Sequence, residues 1–139
     1  MKNGGIVIDT NVILSGLTSK NGYSYKILSL ISKGGIVFNI SVPLILEYES
    51  ILMQFREKIG LSTDDIQDFI DYLCKTGHHT KIYYLWRPML KDPFDDHILE
   101  VAVNSGSTYI VTFNIKDFVL TNSFGIKAIT PKEFVQEEQ

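Results

Sequence analysis

The chain reads as an α/β protein, a parallel β-sheet covered by helices on both faces. Three observations predict this class. Short apolar runs rich in β-branched residues, beginning with Ile6-Val7-Ile8, alternate with stretches whose apolar residues recur at helical spacing. The first run is apolar throughout, as in a strand buried on both faces. Acidic residues follow the runs or open the helical stretches, and open α/β sheets bind ligands at the carboxyl ends of their strands. The 139 residues suit a single domain spanning 1–139.

Strand one, Ile6 to Ile8, leads into Asp9 and a short helical stretch from Asn11 to Leu17. Ser19 to Gly22 is a loop. Tyr23, Ile27, Leu30 and Ile31 keep helical spacing up to a Gly34-Gly35 stop. Ile36 to Ile40 is strand two. Ser41 caps the next helix, with Pro43 in its first turn, and Leu44, Tyr48, Ile51, Leu52 and Phe55 form its apolar stripe. Ser62-Thr63-Asp64-Asp65 resembles a capping box. Behind it Ile66, Phe69, Ile70, Leu73 and Cys74 mark a strongly amphipathic helix ended by Gly77. Lys81 to Leu85 is strand three. Asp92-Pro93 opens a helix from Phe94 to Asn104, and Gly106 closes it. Thr108 to Thr112 is strand four and Ile126 to Ile129 strand five. Thr130-Pro131 starts a terminal helix through Val135, and Gln136 to Gln139 fray.

Composition narrows the function classes. With 45% hydrophobic and 21% charged residues the chain is an ordinary globular one. A net charge of −3 provides no global basic signal for nucleic acid, although an acidic metal site needs none. Cys74 is the only cysteine, which excludes an internal disulfide and fits a reducing cytoplasm. No apolar run reaches membrane-spanning length and no signal peptide pattern opens the chain, so a soluble cytoplasmic protein without membrane contact is expected.

The acidic residues form the candidate site. Asp9 ends strand one, where it also suits the N-cap of the next helix. Glu47 flanks the apolar stripe of its helix, with Glu49 near the other flank. Both also suit a solvated first turn, where the helix dipole favours acids. Asp92, Asp95 and Asp96 open the helix before Ile98. Asp95 is in line with Ile98, Leu99 and Ala102, so a carboxylate there needs a metal or a donor. Asp96 aligns with Glu100, toward the edge of that stripe. Thr112, Asn114 and Asp117 follow strand four as oxygen ligands or donors, or as an ordinary polar turn. Several carboxylates in one crevice repel unless a cation neutralises them, and hard oxygen donors suit Mg²⁺ or Mn²⁺. Such a site activates water for phosphodiester displacement. No His or Cys grouping competes: His78 and His79 read as surface residues ending a helix. His97 reads as a solvated first-turn residue with a supporting role open to it.

These segments together resemble a PIN domain, in the group described as toxins of toxin–antitoxin systems (VapC-like). The carriers are Ile6-Val7-Ile8-Asp9-Thr10-Asn11-Val12, Glu47 after Ser41-Val42-Pro43, and Asp92-Pro93-Phe94-Asp95-Asp96-His97-Ile98-Leu99 with Ala102. Tyr109-Ile110-Val111-Thr112-Phe113-Asn114 with Lys116-Asp117-Phe118, and Ile129-Thr130-Pro131-Lys132-Glu133-Phe134, complete the match. The resemblance implies a three-layer α/β/α fold with a five-stranded parallel sheet of order 3-2-1-4-5. It also implies a Mg²⁺- or Mn²⁺-dependent endoribonuclease site. The family's first three acids map to Asp9, Glu47 and Asp95. The fourth falls at Asn114, which supplies no charge; either Asp117, three residues on, compensates as a ligand, or the site holds one metal rather than two. Metal ligands are thus Asp9, Glu47, Asp95 and Asp117, with Asn114 completing the catalytic set and Thr112 contacting metal-bound water or phosphate. The implied partners are RNA and an antitoxin whose segment blocks the crevice, with a homodimer open through Tyr83, Tyr84 and Trp86. The cations near the site, Lys20, Lys91 and Lys116, are too scattered to define an RNA track.

Two rivals stand beside this reading. A phosphoacceptor domain also places Asp at the end of strand one, but Asn11 occupies the position of its second Asp, and no Asp ends strand three. A non-catalytic PIN-like scaffold that binds a partner protein accommodates Asn114.

Overall fold

The computed structural model describes residues 4–82 and 95–138, with the side chains of Asp95, Asp96 and Leu120 excepted. Strand β1 (Ile6–Ile8) lies at the centre. Ile6, Val7 and Ile8 are all completely buried. Successive strand residues point to opposite faces, so burial of all three means that both faces of the sheet are covered. β1 pairs in parallel with β4 (Tyr109–Val111), and β4 pairs in parallel with β5 (Lys127–Ile129).

On the other side of β1, β2 (Asn39–Ile40) and β3 (His78–His79) form a separate parallel pair. That pair meets β1 through one parallel bridge, Ile6 with Phe38, and through the amide of Ile6 donating to the Val37 carbonyl at 2.9 Å. Among the described residues, the expected continuous five-stranded sheet is therefore corrected to a three-stranded sheet, β1-β4-β5, beside a two-stranded one. Only Phe38, fully buried, reaches the β1 ladder ahead of a two-residue strand, so regular pairing along β1 has no length over which to form.

A short strand forms at His78–His79, directly after the helix; of the strand expected at Lys81 to Leu85 only Lys81 and Ile82 are described, and neither is in a strand. Both histidines are exposed in side chain and held by their backbone: the amide of His78 donates to Phe38 and that of Thr80 to Ile40. A strand secured at its edge by backbone bonds needs no apolar signature, so an apolar search passes over it. Residues 83–85 lie outside the described residues, as do Lys91, Asp92 and Trp86.

The helices carry the core. They are α1 (Thr10–Thr18), α2 (Tyr23–Ser32), α3 (Val42–Gln54), the single turn α4 (Arg56–Ile59), α5 (Thr63–Thr76), α6 (Asp95–Ser105) and α7 (Pro131–Glu138). α2 packs against α1 and α7, whereas α3 packs against α5 and α6, and α6 lies along β1 and β2. Ser41 caps α3 with its hydroxyl on the Leu44 amide, and Pro43 sits in the first turn, as expected. Ser62 and Asp65 form the capping box of α5, each side chain taking the other's amide at 3.1 Å. Ile66, Ile70 and Leu73 of α5 are buried. α7 runs on to Glu138 rather than stopping near Val135, because Glu133 accepts from both Thr130 donors and fastens its first turn.

One glycine fixes how the chain enters the sheet. Gly5 has φ +75°, and a Cβ there would lie 2.3 Å from the Val37 carbonyl oxygen. Only glycine lets the incoming strand press this close to the segment before β2.

Candidate active site

The site is built at the carboxyl ends of β1 and β4. Asp9 follows β1 and is 6% exposed; its amide donates to the Val111 carbonyl at 2.9 Å, tying it to the end of β4. Asp9 occupies the N-cap position of α1, yet its side chain makes no capping bond. Its Oδ2 instead accepts from the Thr112 hydroxyl at 2.7 Å. The helix-cap role weighed from sequence is therefore not what holds this carboxylate.

Thr112 is completely buried and does a second job: its hydroxyl oxygen accepts the Asn114 amide at 2.9 Å. A hydroxyl buried in this way positions Asp9 and shapes the turn. It is not available to phosphate or water, which corrects the role expected for it.

Burial pushes the Asp9 carboxyl above its ordinary range. The Thr112 hydroxyl and the nearby amides of Thr10 and Asn11 oppose that rise, while the negative charge of Asp117 adds to it.

Glu47 comes from the first half of α3, which starts directly after β2. Its Oε2 accepts from the Thr10 hydroxyl, and its Oε1 faces Nδ1 of His97 at 3.9 Å. Next to it, Tyr48 is fully buried and donates its hydroxyl to the Ile8 carbonyl, the last residue of β1. Burial first, then the charges of Asp9 and Glu47, hold the Tyr48 phenol well above its ordinary pKa. Tyr48 is therefore a neutral donor that clamps α3 to the end of β1.

Asp9, Thr10, Asn11, Glu47 and His97 line one groove of about 700 Å³, extended along α3 by Ser50, Ile51 and Gln54. Asn114 and Asp117 lie outside it. They are exposed and line a neighbouring concavity with Phe113, Ile115 and Lys116. Here the expected polar turn is the entry to a 3₁₀ segment, Ile115–Phe124, kinked at the buried Phe118. Asp95 opens α6, two residues before the groove-lining His97, and its side chain lies outside the described residues.

Three residues of the site were undervalued from sequence, and the burial of a fourth, Glu100 on α6, was misjudged. Thr10 and Tyr48 sit directly beside Asp9 and Glu47, and that adjacency was the available signal. His97 is not a solvated first-turn residue but a wall of the groove. Glu100 is 2% exposed rather than at the edge of its stripe. Because α6 is enclosed on several sides, its helical phase could not separate edge from interior.

The donor set is oxygen-based: two carboxylates in one groove and a third whose charge reaches Asp9. A buried carboxylate with raised pKa beside a like charge is the environment a hard cation relieves. Among the described residues, no group of three or more His, Cys, Asp or Glu side chains is placed to hold a metal. Among them, too, no helix is long and apolar enough to cross a membrane.

Residues 5–116 match the PIN domain family, whose members are typically nucleases that use divalent metals. The chain is also 26% identical to an uncharacterized protein of Methanocaldococcus jannaschii, across 95% of this chain and 90% of that protein. The match runs from the glycine before β1 through the turn that bears Asn114, and the chain belongs to the PIN domain family.

Proposed function

We propose that the protein is a Mg²⁺- or Mn²⁺-dependent endoribonuclease that hydrolyses RNA phosphodiester bonds, and that it is the toxin of a toxin–antitoxin pair acting in the cytoplasm. The single observation that carries the nuclease reading is Asp9. It is a carboxylate buried at the end of the central strand, positioned by Thr112 and facing a groove shared with Glu47. Asp9, Glu47 and Asp95 would hold the metal, and Asn114 and Asp117, which line the neighbouring concavity, would complete the site from its edge. When bound, the cation supplies charge neutralisation and activation of water for in-line displacement at phosphorus.

The protein's own residues do the positioning. Thr112 and Thr10 each hold one carboxylate by a hydroxyl, so neither acid must be ordered when substrate arrives. Tyr48 locks α3 against β1 and thereby sets the separation of Glu47 from Asp9. Asn11 stands exposed on the rim as a neutral donor for a phosphate oxygen. The antitoxin of this reading is a protein whose segment fills the groove, and a homodimer is part of the same proposal.

The test is cleavage of RNA with Mn²⁺ by the purified protein and by the Asp9→Asn, Asp95→Asn double variant. Loss of cleavage in the variant is expected, and unchanged cleavage sinks the assignment.

One observation favours a second reading, a non-catalytic scaffold that binds a partner protein. Asn114 stands at the fourth acidic position and supplies no charge. Thermal unfolding separates the two. A melting temperature that rises with Mn²⁺ supports the nuclease, because only a ligand of the folded state stabilises it, and a flat titration supports the scaffold.

A further inference from the structure

We propose that Phe113 and Lys116 form a nucleotide subsite beside the acidic groove, taking an unstacked base and its adjoining phosphate from single-stranded RNA. The inference rests on the nuclease reading and specifies its substrate.

Phe113 is 49% exposed although it sits between two fixed residues. Thr112 before it is buried and bonded to Asp9, and the amide of Asn114 after it is bonded back to Thr112. The turn continues with the Asp117 amide on the Asn114 carbonyl at 3.0 Å. Farther on, buried Phe118 anchors the 3₁₀ segment, and the buried Thr121 hydroxyl donates within it. An aromatic ring is thus held open to solvent on a rigid platform. Packing does not account for it, since half of its surface stays in water, and a polar turn would be served by a smaller residue. Ile115 is also exposed and lines the same concavity, extending the apolar strip.

Lys116 lines the same concavity as Phe113. An exposed aromatic face with a cation beside it is the pattern that binds single strands, the ring stacking on a base and the cation meeting a phosphate. The location selects the occupant. Thr112 joins this concavity directly to Asp9, so a strand whose phosphate sits at the acids has its neighbouring nucleotide here. A base within a duplex is stacked on both faces and cannot lie on the ring, which selects single-stranded RNA.

The experiment measures binding of a short single-stranded RNA carrying one 2-aminopurine, by its fluorescence, in the Asp9→Asn background where cleavage is not required. Phe113→Ala is expected to weaken binding roughly 5- to 150-fold, as loss of one base–aromatic stack does, while Phe113→Trp restores it. Binding of a blunt RNA duplex is expected to be the same for all three. Equal affinity of Phe113→Ala and its parent for the single strand overturns the subsite. If the wild type still cleaves RNA, the nuclease reading survives that result. No cleavage by the wild type together with no RNA binding by any variant overturns both. Unchanged RNA binding with lost self-association in Phe113→Ala assigns the strip to protein contact and also overturns the subsite.

Discussion

Replacing Thr112 by Val tests the electrostatics of the site without changing its shape. The side chains are nearly isosteric and the position is completely buried, so neither a cavity nor a clash is introduced. Two hydrogen bonds are lost, one donated to the Asp9 carboxylate at 2.7 Å and one accepted from the Asn114 amide at 2.9 Å. A bond to a charged group contributes about 1.5–3 kcal/mol and a neutral one about 1 kcal/mol, so a loss of about 2.5–4 kcal/mol is expected at pH 7. With a urea dependence of about 1–3 kcal/mol per molar, the unfolding midpoint falls by roughly 1–4 M. The pH dependence has a definite sign. Burial holds the folded-state pKa of Asp9 above its ordinary 3.8, so this group withdraws stability as the pH rises through that pKa. Thr112 offsets part of the withdrawal by favouring the charged form. Its contribution is therefore full above the folded pKa of Asp9 and shrinks toward that of a neutral bond as the pH falls through it. In an Asp9→Asn background both lost bonds are neutral, and the same Thr112→Val change should cost only about 2 kcal/mol, a coupling measurable in a double-mutant cycle. A cost that is equal at pH 7 and in acid, or equal with Asp9 and with Asn at that position, refutes the reasoning.

Three further outcomes follow from the same geometry. Without divalent metal, Asp9→Asn is expected to raise the melting temperature at neutral pH, because it removes a charge that burial disfavours, and to abolish the Mn²⁺-induced rise; calorimetry with and without chelator checks both. Tyr48→Phe leaves the buried Ile8 carbonyl without its side-chain donor and should cost about 1–3 kcal/mol in urea unfolding, with a loosened Glu47 read as weaker metal affinity. Gly5→Ala places a methyl group 2.3 Å from the Val37 carbonyl oxygen at a φ of +75°, and should destabilise by more than about 2 kcal/mol; a near-neutral effect would mean that this edge yields easily.

The helices were the most legible part of the molecule. Ser41 before Pro43, and Ser62 with Asp65, are local signals, since a cap and its amide lie within one turn. The α/β class and the buried first strand were legible for the same reason, because three successive β-branched residues have no exposed face to offer. Strand three was not legible at His78–His79, where backbone bonds to Phe38 and Ile40 do the work that apolar side chains do elsewhere. Nor was the break between the two sheets, which depends on a single bridge from Ile6 to Phe38. At the site, the acids themselves were visible as Asp9 and Glu47. Their partners were not, since a threonine beside an acid has the same appearance in any loop.

By itself, then, the sequence determined an α/β chain with its principal helices and their caps, its apolar strands and a set of acids at strand and helix ends. Each of these depends on residues within a turn or two of one another. Only the tertiary structure decided that Asp9 is held by Thr112, 103 positions away, and that Glu47 reaches Thr10 across 37. It also decided that Asn114 and Asp117 face a second concavity rather than the groove. Parallel strands bring together residues that are remote along the chain, and the direction of a side chain at a strand end is set by which strand lies beside it.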